Sequence, residues 1–171
     1  EPGVEAVALE SSGTRLDRMV REASRLGHTA FVAHCADATG LDWWDGKPFD
    51  RILIDAPCSG SGTLRRHPDI KLLRQAADLS RYAALQARLL ANLWRTLRPG
   101  GTLLYCTCSL FPMENDEVIG RFLSAHSEAR ADALALRTGQ ATRYGWQLLP
   151  LDTDTDGFYY ARLRKASAGR F

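Results

Sequence analysis

The chain has 171 residues, 45% of them hydrophobic and 25% charged, with a net charge of +2. That balance fits one globular domain with a core of its own and excludes a disordered or polycationic chain. There is no signal-peptide pattern and no apolar run of the roughly eighteen residues a membrane span needs, so a soluble, cytoplasmic protein without a membrane partner is expected.

Val4 to Leu9 reads as a strand that stops at Glu10, and Ser11-Ser12-Gly13-Thr14 supplies turn and N-cap chemistry. Leu16, Met19, Val20, Ala23 and Leu26 then recur at helical spacing, and Gly27 stops the helix. Ala30 to Ala33 is a second short strand, leading into His34-Cys35-Ala36-Asp37. After a loop holding Trp43 and Trp44, Arg51 to Asp55 forms a third strand, whose Ile52-Leu53-Ile54 run has the pattern of a parallel strand buried on both faces. The two tryptophans read more naturally as packing residues or a loop anchor than as base-stacking platforms.

Leu79, Tyr82, Leu85, Leu89, Leu93, Trp94 and Leu97 stripe a long helix that ends at Arg98-Pro99-Gly100-Gly101, and the strand Thr102 to Cys106 follows. Glu114 to Ala125 is another helix, entered from Pro112. Trp146 to Leu149 and Phe158 to Leu163 read as late strands bracketing the turn-rich Asp152 to Gly157, and residues 166–171 read as a loose tail after a domain spanning 1–165. Alternating strand and helix predicts an α/β fold, a doubly wound, mostly parallel sheet closed by a C-terminal antiparallel hairpin.

Of the four cysteines, Cys58 follows the third strand in Asp55-Ala56-Pro57-Cys58 and Cys108 follows the fourth in Thr107-Cys108-Ser109. Ligands of open α/β sheets bind outside the carboxyl ends of the strands, so both thiols are expected at one site. Cys35 and Cys106 are expected to be small buried hydrophobes. His34, Cys35, Cys106 and Cys108 could alternatively be read as a metal site, although the spacings lack the pairing of a zinc motif and no metal is expected. Arg65, Arg66, His67 and Lys71, with Arg74 close behind, form a local basic cluster fit for an anionic partner or simply for a solvated face.

The Pro-Cys and Thr-Cys-Ser motifs together resemble the motif pair of S-adenosylmethionine-dependent RNA cytosine-5 methyltransferases. Arg66-His67-Pro68-Asp69-Ile70, Leu97-Arg98-Pro99-Gly100-Gly101, Glu114-Asn115 and Asp156-Gly157-Phe158-Tyr159-Tyr160 extend the match, and the ordered set is similar to the bacterial Sun/Fmu branch, ribosomal RNA small-subunit methyltransferase B, from Val4 to about Arg164. The resemblance implies a Rossmann-like class I methyltransferase acting on carbon 5 of a cytosine in 16S ribosomal RNA. In that pattern Cys108 bonds the base covalently, Cys58 assists breakdown of the adduct, and Asp55 holds the base edge and borders the methionine end of the cofactor. The same pattern gives Glu10 to the cofactor's ribose and Asp37 to its adenine, although both acids also read as helix caps or loop acids. Arg65, Arg66, His67 and Lys71 would contact RNA phosphates.

Such a fold normally begins with a strand entering a glycine-rich loop, and none precedes Val4. The expectation is therefore a chain missing one central strand, with that loop's lysine, which a longer parent supplies together with an N-terminal RNA-binding domain, or else a fragment that folds only in part; the catalytic unit is expected to be a monomer. Two other readings stand beside the first. In DNA cytosine-5 methyltransferases the Pro-Cys thiol is the attacking group, which would make Cys58 the nucleophile, and a non-catalytic RNA-binding fragment needs no cofactor.

Overall fold

The computed structural model describes residues 4–150 and 155–167. By contact density the chain divides into two compact units, residues 1–46 and 47–171. In the first, β1 (Ala6–Glu10) pairs in parallel with β2 (Phe31–Cys35), joined by α1 (Gly13–Arg25). Ser12 caps α1 by accepting the Arg15 N–H, and Gly27 leaves it at φ +78°, a conformation that favours glycine.

The second unit is built on a mixed six-stranded sheet. β3 (Phe49–Asp55) pairs in parallel with β4 (Leu97–Thr107), and β4 pairs antiparallel with β8 (Phe158–Lys165). β7 (Trp146–Leu148) and β5 (Ala129–Asp132) share the far edge of β8, and β6 (Gln140–Ala141) pairs with β7, so the expected C-terminal hairpin is present as β7 and β8. The crossover from β3 to β4 carries a 3₁₀ turn (Ser61–Thr63), the short α2 (Ile70–Leu73) and the long α3 (Ala76–Thr96). A reciprocal cap between Gln75 and Asp78 fixes the start of α3. After β4, a 3₁₀ turn (Pro112–Glu114) enters α4 (Asp116–Ala125).

The core forms where α3 and α4 cover this sheet. Leu90, Trp94, Leu97, Leu103, Tyr105, Val118, Ile119, Tyr159 and Leu163 are each 2% exposed or less. Removing one such side chain from water is worth about 1.5–3 kcal/mol. Trp94 meets Phe122 edge to face at 5.2 Å and donates its indole N–H to Glu128 at 2.8 Å, which satisfies the polar atom of a buried aromatic.

Two expectations change. Leu53 is 66% exposed while Ile54 is 5% exposed, so β3 is buried on one face only. Ile52 and Ile54 point to the covered side, and the alternation of the pleat turns Leu53 to the other. Helix α3 stops just before Arg98 to Gly101, but the next strand starts earlier than Thr102: β4 begins at Leu97 and absorbs that segment as an irregularity, since Phe49 pairs with Leu97 but Arg51 with Thr102. Of the turn-rich segment Asp152 to Gly157, residues 152–154 lie outside the described residues, as do 168–171 of the tail. Among the described residues no helix is long and apolar enough to cross a membrane.

Candidate active site

Parallel pairing of β3 with β4 brings the carboxyl ends of both strands together, with Asp55 opposite Cys106 in register. The loops beyond them are joined at once, because Ala56 N–H donates to Cys106 O and Gly62 N–H to Cys108 O, each at 2.9 Å. This brings the sulfurs of Cys58 and Cys108 to 3.3 Å from one another, both half-buried. The neighbouring Cys106 points elsewhere. It is buried, its thiol donates to Ile54 O at 3.3 Å, and burial pushes it up to about 12.

The two facing thiols are not equivalent. A hydrogen bond from Cys58 lowers Cys108 to about 7, against the raising effects of burial and of the Asp55 charge, while Cys58 is pushed well up by that same contact and by burial. Their contact thus favours the thiolate on Cys108 and the thiol on Cys58. A thiolate near neutral pH is the reactive form of cysteine.

The loop between Cys58 and α2 is anchored from several sides. Gln86 of α3 donates to Pro57 O at 2.9 Å, and Arg74, whose guanidinium also lies over the Tyr82 ring, donates to Ser59 O at 3.0 Å. Gly157 N–H donates to Gly62 O at 2.9 Å. A β-carbon on Gly62 would fall 2.1 Å from Gly157 O, so this close approach of two backbones requires glycine.

Asp55 ends β3 with its side chain exposed, accepting a long contact of 3.9 Å from the Cys106 thiol. Of the basic cluster, Arg65, Arg66, His67 and Lys71 are all exposed, and Arg66 is ion-paired with the buried Asp156. That pair ties the basic segment to Asp156-Gly157, so the arrangement joins the thiols, the basic cluster and the late motif within one unit.

In the first unit, Glu10 ends β1 and is held below the usual carboxylate range, chiefly by the Ser12 N–H. Its contacts with Ser11, Ser12 and Arg15 all fall on Oε1, and Oε2 accepts none among the described residues. Asp37 is exposed in the loop after β2, each of its oxygens accepting from Thr39 at 2.8 Å. Cys35 departs from expectation: it is exposed, reaching Ser11 O at 3.8 Å, because a two-stranded sheet under one helix is too small to bury a strand terminus. Trp43 donates its indole N–H to Gly40 O at 2.9 Å, the contact of a loop anchor.

Glu114 and Ser109 stood in the motif stretches, but sequence reasoning gave neither a role behind the thiols. Ser59 and Ser109, both buried, donate their hydroxyls to one oxygen of the buried Glu114 at 2.6 and 2.5 Å. The readable signal was the repeated Cys-Ser pair; nothing in the sequence showed that Glu114, an acid at a helix entrance, turns inward.

A family model described as 16S rRNA methyltransferase RsmB/F matches residues 2–164. The chain is 46% identical over 168 residues to the ribosomal RNA small subunit methyltransferase B of Shewanella oneidensis, covering 98% of this chain and 39% of that protein. It is 49% identical over 164 residues to the protein of the same name from Pseudomonas putida, covering 96% and 38%. The chain thus spans about two fifths of the length of these curated relatives. Among solved structures, a methyltransferase homolog from Pyrococcus horikoshii superposes with a TM-score of 0.78 at 31% identity, over 93% of this chain and 52% of that one. NSun6 from the same organism, solved with SFG, superposes at 0.85 with 27% identity, over 96% and 42%.

Proposed function

This chain belongs to the 16S rRNA methyltransferase RsmB/F family, and on that footing we propose that it methylates carbon 5 of a cytosine in small-subunit (16S) ribosomal RNA, using S-adenosylmethionine and a covalent bond to Cys108. The observation that carries the reading is the pair of sulfurs 3.3 Å apart, a contact that favours the thiolate on Cys108.

Carbon 5 of cytosine is a poor nucleophile. Addition of the Cys108 thiolate at carbon 6 forms a carbon–sulfur bond and moves the ring electrons toward carbon 5, which then attacks an electrophile. Asp55, exposed at the end of β3, holds the base edge at its ring nitrogen and amino group, where charge develops. When bound, S-adenosylmethionine supplies the electrophile, a methyl group activated by its sulfonium. To complete turnover the carbon 5 proton passes to a base, the carbon–sulfur bond breaks, and the thiolate is restored. The Cys58 thiol favours that departure by donating to the Cys108 sulfur, because a thiol of lower pKa leaves faster.

Within the first unit the residues present fit the cofactor's polar groups: the open Oε2 of Glu10 is an acceptor for a ribose hydroxyl and Asp37 suits the adenine side. SFG in the Pyrococcus horikoshii relative, an analogue of S-adenosylmethionine, supports that choice of cofactor. The target base must be unstacked for the thiol and the methyl donor to reach it together. Arg65, Arg66, His67 and Lys71 then contact phosphates and orient the strand.

The test is to incubate Cys108→Ala and Cys58→Ala proteins with S-adenosylmethionine and RNA carrying 5-fluorocytosine, whose fluorine cannot leave as a proton does. Cys58→Ala is expected to retain the covalent complex on a denaturing gel and Cys108→Ala to lose it. The opposite result moves the nucleophile to Cys58, as in DNA cytosine-5 methyltransferases. RNA binding with neither a calorimetric response to S-adenosylmethionine nor methyl incorporation identifies an RNA-binding fragment instead.

A further inference from the structure

Behind the two thiols a single buried carboxyl group grips the residue that follows each of them. Glu114, 0% exposed, accepts the Ser59 N–H on Oε1 at 2.8 Å and the hydroxyls of Ser59 and Ser109 on Oε2 at 2.6 and 2.5 Å. Gln86 donates one amide group both to Glu114 at 3.2 Å and to Pro57 O, the residue before Cys58. On the other side, Asn115 accepts from the Thr107 hydroxyl at 2.7 Å and donates to Ser109 O at 2.9 Å, holding the residues on either side of Cys108. Every contact to the carboxyl group thus comes from an N–H or a hydroxyl.

A fold needs no such device to end two strands; backbone pairing between β3 and β4 already does that. What the network adds is a fixed relation between two loops that leave different strands, because Ser59 and Ser109 meet on the same oxygen atom. We propose that Glu114 is a positioning residue that sets the separation of the Cys58 and Cys108 sulfurs by clamping Ser59 and Ser109 together. The inference rests on the thiol chemistry proposed above, for which the sulfur separation governs both activation and departure of Cys108. A half-buried pair in contact at 3.3 Å leaves little tolerance, and a misplacement of about 1 Å costs roughly 100-fold in rate at a reacting centre.

The variants Glu114→Gln and Ser109→Ala test it. Glutamine keeps the size of the side chain but sets an amide N–H₂ against groups that also donate, so the clamp opens. Site-resolved alkylation of Cys108 by iodoacetamide, followed across pH by peptide mass spectrometry, reports sulfur contact without RNA or cofactor. The expected result is a Cys108 midpoint that rises from about 7 toward the ordinary thiol value of about 8.5, because the bond from Cys58 is lost. If Glu114 acted only through its charge, Glu114→Gln would lower the midpoint; if it only supported the fold, the midpoint would stay with wild type. Either result overturns the proposal.

Adduct formation on 5-fluorocytosine RNA is expected to slow by about 100-fold, with KM for S-adenosylmethionine changed less than about twofold. Should Glu114→Gln fail to fold, Ser109→Ala removes one contact to the carboxyl group and is expected to move the midpoint in the same direction; no upward shift there overturns the proposal as well. A wild-type protein that forms no RNA adduct would instead defeat the function reading, and the alkylation profiles would still decide the role of Glu114.

Discussion

At the scale of single residues, the proposed chemistry turns on which of the two facing sulfurs carries the proton. Cys58→Ala removes the donor that holds Cys108 at about 7. The sign follows directly: a thiol with a lowered pKa is a thiolate above that value, so Cys108 alkylation rises with pH through about 7 in wild type, and through a midpoint nearer 8.5 in Cys58→Ala. Serine at position 58 can still donate, so Cys58→Ser is expected to fall between the two, and only Cys58→Ala should accumulate covalently trapped natural RNA. A denaturing gel of each variant after reaction with unmodified RNA checks this. Gly62 is a different kind of constraint. Gly62→Ala would force a methyl group against the Gly157 carbonyl, and thermal unfolding is expected to show a loss of about 1–3 kcal/mol from overpacking, with loss of adduct formation.

At the scale of elements, β4 is the spine of the larger unit, pairing with β3 on one side and β8 on the other. Leu103 is 0% exposed at its centre, and Leu103→Ala is expected to cost about 2–5 kcal/mol in urea unfolding, whereas an alanine at the exposed Leu72 is expected to cost less than about 0.5 kcal/mol. The strong elements were legible because their signals are local: the apolar run of β3, the long stripe of α3, and the amphipathic α4 each state their own period. β5 was not. Ala129-Arg130-Ala131-Asp132 has no apolar run, and it becomes a strand only because β8 offers an edge and Arg164 meets Asp132 at 2.7 Å. β6, two residues long, exists for the same kind of reason. Arg98-Pro99-Gly100-Gly101 marked the end of α3 but hid the start of β4, because pairing of Leu97 with Phe49 carries the strand across residue types that suit a turn. In the site, the thiols were legible from their motifs, but burial of Glu114 is a tertiary outcome that no spacing announces.

At the scale of the whole molecule, a net charge of +2 gives little general attraction for RNA, so the proposed RNA contacts rest on the local cluster. Each lysine or arginine that displaces a counterion from single-stranded RNA contributes about 0.7 to the slope of log K against log salt. Arg65→Ala and Lys71→Ala are each expected to reduce that slope by about this amount and to weaken all RNAs alike, measured by fluorescence anisotropy across a salt series. Arg66→Ala should do more than its share, since it also releases Asp156.

The contact between Gly62 and Gly157 joins positions nearly a hundred residues apart, 157 − 62 = 95, across the loop that carries Cys58. During synthesis on a ribosome, both thiols emerge well before Gly157 does. The loop that carries Cys58 therefore gains this backbone contact only once Gly157 has been made and β8 has docked.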